Sequence, residues 1–338
     1  MLILLGGPSN RWIFHSKPAS LDIRMGFCAI PGICEGDPLN RNDWMTGSIC
    51  ALGCEIFYGM SYLFTKQATE ATSVFSLLGW RFLLAIVGMN ILSGLGVLNI
   101  DIKRKKLKPV LLVALFCPVI YFIGETVGIS HTTASESGVF LACIPVASLI
   151  ASTVILKKKP TESQTTGILI TLTGVVLTVF AAGASSSFSL PGYLFLVIAV
   201  ISYALYCVFV EKAHEYSGAE ITFIMLAAGG VVFTVLAVGE GLMKGNLEQV
   251  MTLPFRDTGF LTAVLYQGIG CSIIAFFLEN VAIAKIGVNR TSSFIGVATV
   301  VAIIAGAVIL HESFTAWQIV GAALIMIGVY TANAKDRK

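Results

Sequence analysis

Apolar residues along this chain gather into runs of about 20, separated by short polar stretches. A run of that length forms a helix that crosses the hydrocarbon layer of a bilayer, at about 1.5 Å per residue. Ten such spans are predicted, near residues 45–65, 73–97, 109–128, 133–156, 165–184, 191–210, 219–239, 258–282, 287–310 and 316–334. Residues 1–44 stand apart: they are Pro/Gly-rich and only locally apolar. Their opening MLILLGG is too short for a signal-peptide core and lacks a basic start. They are expected to be a disordered cytosolic extension, or to lie upstream of a working start near Met45.

The pattern occurs twice. Phe122, Glu125, Phe140, Gln164, Gly167 and Gly174 return 154 residues on as Phe276, Glu279, Phe294, Gln318, Gly321 and Gly328. The front of each half agrees at a slightly shorter spacing, with Tyr58 and Phe64 returning as Tyr203 and Phe209. The predicted units are 45–184 and 191–334, five helices each. Five is odd, so the second half enters the membrane from the opposite side. The expected fold is an all-α integral membrane protein of ten transmembrane helices in two inverted five-helix repeats.

Charge orients the expected helices. Lys103, Arg104, Lys105, Lys106 and Lys108 follow the second span, Lys157, Lys158 and Lys159 the fourth, and Lys335, Arg337 and Lys338 the tenth. All share one side if both termini are cytosolic, in a plasma membrane. The other side is nearly free of Lys and Arg; Lys66, Lys244 and Arg256 are scattered exceptions. Composition agrees: 56% of residues are hydrophobic and 12% charged, about half the charge of a soluble domain. The net charge of +3 gives no reason to expect nucleic-acid binding. Of the eight cysteines, six lie in apolar runs and read as packing residues. Cys50 and Cys54 share a helical face, but no matching Cys/His set accompanies them, so neither a metal nor any other cofactor is expected.

The candidate chemistry is intramembrane. Glu55 lies about ten residues into the first span, near the midplane, where a bare charge costs on the order of 3 kcal/mol or more. A proton, a cationic substrate or a buried partner must offset that; the competing reading is a Glu that glues helices by hydrogen bonding. Tyr58 and Tyr62 follow on the same face, and Tyr203 and Tyr206 stand in the sixth span. Their rings could bracket a cation, or simply pack. Gln267, beside Gly268 and Gly270, could line a cavity. The symmetric acids Glu125 and Glu279 are expected near opposite helix ends, as gates or as end charges reaching water. Arg81 lies at a depth near Glu125, which suggests a buried Arg–Glu pair, or attraction of a substrate carboxylate. Pro118 and Pro145 are expected to kink their spans, and the Gly167/Gly174 and Gly321/Gly328 stripes to seat the fifth and tenth spans together. The connection from Glu240 to Asp257 is long enough to suggest a lid.

The ordered motifs resemble the EamA family of the drug/metabolite transporter superfamily. The second half ends in LHESFTAWQIVGAALIMIGV and the first in LKKKPTESQTTGILITLTGVV, with Lys158 where the second half has Glu312. Pro145 in the fourth span and Arg81-Phe82 in the second are further points of likeness. The resemblance covers about residues 46–333. Glu55 is placed similarly to the essential mid-membrane Glu of the related small multidrug resistance transporters. The resemblance implies a secondary transporter of small organic solutes (amino acids, related metabolites or organic cations), working by alternating access, an exporter, with proton coupling in view. Its partners would be that small-molecule substrate, the lipid bilayer and protons. The scarcity of deep Lys and Arg argues against substrates with several negative charges. An enzyme is not expected: there is no phosphate-binding Gly-rich loop, and the four histidines show no zinc spacing. The alternative function is a non-transporting membrane scaffold or sensor.

Overall fold

The computed structural model describes residues 41–102, 105–132, 140–181, 189–310 and 315–334. Residues 1–40, His311 and Glu312 lie outside these, as do Lys103 and Arg104. All regular structure among the described residues is helical. The first half has α1 (Arg41–Ala71), α2 (Val74–Gly94), α3 (residues 107–130), α4 (Ile144–Ile155) and α5 (Glu162–Ala181). The second has α6 (Leu190–Lys212), α7 (Gly218–Lys244), α8 (Leu247–Arg256), α9 (Thr258–Ile286), α10 (Val288–Ser293), α11 (Ile295–Leu310) and α12 (Ala316–Asn333).

Eight segments among the described residues are long and apolar enough to cross a membrane. The other two expected spans fall on α1 and α4. At 31 residues α1 is long, and it starts at Arg41, so the ordered helix takes in four residues assigned to the extension. Asp43 there pairs with Lys285, and Trp44 packs on a core that includes Ala51, Phe294 and Val329. The helix α4 has 12 residues and carries Pro145 in its first turn; a turn at Ala142 and Cys143 separates it from helical Phe140 and Leu141, so the span is interrupted beside the proline. Pro118 does break its helix. The turn at Leu115–Ile120 is wide, and Cys117 leaves helical geometry (φ −138°, ψ 122°), since proline has no N–H to donate and its ring collides with the preceding turn. A second wide segment, Tyr266–Ala275, occurs at the repeat-equivalent place in α9.

Local signals set the helix ends. Ser217 and Glu220 form a reciprocal cap at the start of α7, and Gly245, with φ of +67°, ends it. Thr161 and Gln164 make the same reciprocal hydrogen bonds before α5 (both 3.2 Å). Thr315 and Gln318 make them before α12 (2.9 and 3.2 Å). The recurring Gln of the two signatures is therefore a capping residue. The glycines that follow it bring α5 and α12 together: a Cβ on Gly321 would sit 2.7 Å from the Gly174 carbonyl oxygen and 2.1 Å from Thr178 Oγ1.

Most packing runs between the halves. Besides α5 on α12, α2 packs on α7, α1 on α9 and α11, and α6 on α3 and α4. One end of the bundle holds the ion pairs Lys105–Glu220 (2.6 Å), Lys158–Glu211 and Lys285–Asp43. The other end holds Ser73 donating to Glu240, and Trp80 Nε1 donating to the Val250 carbonyl at 2.9 Å. The connection after α7 is the helix α8, where a lid was expected. Its Val250 and Pro254 are buried.

Candidate functional site

Three helices deliver one buried polar cluster. Glu55 and Tyr58 lie a turn apart on α1, Tyr203 and Tyr206 on α6, and Glu279 and Asn280 on α9. The wide segment of α9 lies just before Glu279, against α1: Tyr266 OH donates to the Phe57 carbonyl at 3.0 Å. Both oxygens of Glu279 accept phenolic protons, one from Tyr58 at 3.1 Å and the other from Tyr203. Asn280 is fully buried and satisfied: Tyr206 OH donates to its Oδ1 at 2.9 Å, and its Nδ2 donates to Thr222 Oγ1 at 3.0 Å.

Glu279 was expected near a helix end. It is 3% exposed and lies seven residues inside the end of α9, because the helix continues to Ile286. It is the centre of the cluster and not an end charge. Glu55 is 4% exposed and interacts electrostatically with Glu279. None of the hydrogen bonds among the described residues is made by the Glu55 carboxyl. Two buried carboxyls that feel one another are poorly able to carry two bare charges. Tyr62 is on α1, but its side chain lies outside the described residues.

A second group lies about 10 Å along α9, since Ser272 precedes Glu279 by seven residues. Arg81, 6% exposed, donates Nε to Ser272 Oγ at 2.7 Å and Nη1 to Gln267 Oε1 at 3.5 Å. Gln267 in turn donates to Thr65 Oγ1 at 2.9 Å. The guanidinium lies 4.9 Å from the Phe122 ring centroid, 5.3 Å from Phe82 and 6.0 Å from Phe276. The Arg81–Glu125 pair suggested by depth is not in contact. Glu125 is half-buried and takes the Tyr121 hydroxyl at 2.8 Å, and it senses Arg81 only at longer range. The arginine instead reaches Ser272 and Gln267 of the second half, over the rings of Phe122 and Phe82 from the first half and Phe276 from the second.

Sequence reasoning passed over Asn280, Ser272 and Tyr121. Asn280 could have been found as one of two adjacent polar residues, with Glu279, in an apolar stretch. Ser272 and Tyr121 carry no such signal. Among the described residues no group of three His, Cys, Asp or Glu side chains could hold a metal.

The model of the EamA-like transporter family matches residues 45–180 and again 190–334. The uncharacterized transporter YcxC of Bacillus subtilis (strain 168) is 32% identical over 292 residues, which cover 86% of this chain and 93% of that protein. A probable terminal-alkyne amino-acid exporter of Streptantibioticus cattleyicolor is 23% identical over 205 residues, covering 61% of this chain and 66% of that one. A crystal structure titled only as that of a protein shares the fold, with a TM-score of 0.68 at 18% identity, over 85% of this chain and 97% of its own. Two matches of one family model, each to one half, account for the repeat in the sequence. The relatives are transporters and not enzymes, and the chain belongs to the EamA-like transporter family as a multi-pass membrane transporter.

Proposed function

We propose that the chain is a secondary transporter of small organic solutes, coupled to protons and working as an exporter from the plasma membrane. The observation that carries this reading is the pair of buried carboxyls Glu55 and Glu279 where α1, α6 and α9 converge, with Glu55 making no hydrogen bond among the described residues. An intramembrane carboxyl without a partner exchanges a proton for a cationic group at low cost. Arg81, buried and with no carboxylate in contact among the described residues, offers an opposite pole about 10 Å along α9. Small zwitterions that carry an ammonium and a carboxylate match such a pair of poles better than simple organic cations. The amino-acid exporter among the relatives supports the same class and direction.

The reading includes ten spans in two inverted halves with both termini cytosolic. The exchange symmetry of the packing supports it: α2 meets α7 and α5 meets α12, while α1 meets α9 as α6 meets α3. The ion-paired Lys105, Lys158 and Lys285 gather at the end that would be cytosolic.

The test is proton release on adding amino acids or organic cations to purified protein, wild type against Glu55→Gln. The expected result is release with a zwitterionic ligand that disappears in the variant. Binding without release in either protein would rule out coupling through Glu55.

A further inference from the structure

The scattered basic residues Lys244 and Arg256 have a common address. Both line one cavity of about 370 Å³ between the ends of α2 and α7 and the helix α8. Two of the three exceptions on the Lys/Arg-poor side thus converge on a single place. The same cavity is lined by Ser73, Glu240 and Asn246. Glu240 takes Lys244 at 2.6 Å and the Ser73 hydroxyl, so an acid stands beside the two bases. Among the described residues Arg256 has only a 4.0 Å contact with Glu248, and its side chain is 65% exposed.

The surroundings of the cavity are apolar and exposed. Met243 is 91% exposed, Phe255 83% and Met251 49%, all on the helices that form it. The helix α8 buries Val250 and Pro254 toward the bundle and is held there by Trp80. Large apolar side chains flanking a charged cavity at the end of a spanning helix fit the boundary between headgroups and acyl chains.

We propose that this cavity seats the headgroup of a zwitterionic aminophospholipid drawn from the bilayer. Lys244 and Arg256 take its phosphate. Its ammonium donates to Glu240, and its acyl chains run beside Met243 and Phe255. The N–H donors matter, because a quaternary ammonium headgroup has none for Glu240.

The test uses the purified full chain in detergent and reads retained lipid by native mass spectrometry beside the thermal unfolding midpoint. Phosphatidylethanolamine is expected to be retained and to raise the midpoint. Phosphatidylcholine is expected to bind roughly tenfold more weakly, and Lys244→Ala/Arg256→Ala to lower phosphatidylethanolamine retention by about the same factor. Both substituted side chains are mostly exposed, so the lipid-free midpoint should not move. Equal retention by the double variant would overturn the proposal. Binding of glycerophosphoethanolamine as tight as that of the lipid would overturn it too, assigning the cavity to a soluble phosphate ester.

Discussion

Glu279 holds two phenols, and each phenol comes from a different helix. Removing one hydroxyl therefore tests a contact between elements. Tyr203→Phe should weaken ligand-driven proton release, while Glu279→Gln should abolish it; both are read with a pH electrode on concentrated protein. Tyr206→Phe tests stability alone. It leaves Asn280 Oδ1 buried without a donor, which should cost about 1–3 kcal/mol and lower the unfolding midpoint with little effect on ligand affinity. Arg81→Lys keeps the charge but loses the planar face that lies over Phe122, Phe82 and Phe276. Ligands with a carboxylate should bind roughly tenfold more weakly, and carboxylate-free cations unchanged, by isothermal titration.

Helices display their rules more openly than single residues do. The Gln and Gly positions of each half's last helix were visible as a repeated spacing, and in the structure they are caps and contact points. Gly321→Ala should abolish monodisperse protein on size-exclusion chromatography, since the added carbon meets backbone from α5. Gly94→Ala, where nothing lies within 4 Å, is the matched control and should behave as wild type. The wide segments were only half visible. Pro118 announced the one in α3, whereas Tyr266–Ala275 has no proline and only Gly268 and Gly270 to hint at it. The depth of Glu279 was misjudged for a related reason. The apolar run fades near residue 282, but Lys285 is held at the helix end by Asp43, and α9 carries on. Periodicity shows which face of a helix is buried and not which helix covers it. The meeting of Glu55, Tyr203 and Glu279 was therefore beyond the sequence, although each residue had been singled out.

At the scale of the molecule, an alternating-access cycle requires one end of the bundle to part. The ion pair between Lys158 and Glu211 joins the two halves at one such end. In a background freed of its eight cysteines, Lys158→Cys/Glu211→Cys should cross-link and stop transport, and reductant should restore it. Uptake into proteoliposomes before and after reduction reads the result. Unchanged transport by the cross-linked protein would mean that this end stays closed throughout.

Packing between halves also has a consequence for synthesis. When the first half has left the ribosome, α1, α2 and α5 face lipid without α9, α7 and α12. Glu55 and Arg81 are then in the bilayer before Tyr203, Ser272 and Gln267 exist. The nascent chain must be sheltered for the time needed to translate about 150 residues, and insertion machinery that lets go early would release a fragment marked for proteolysis.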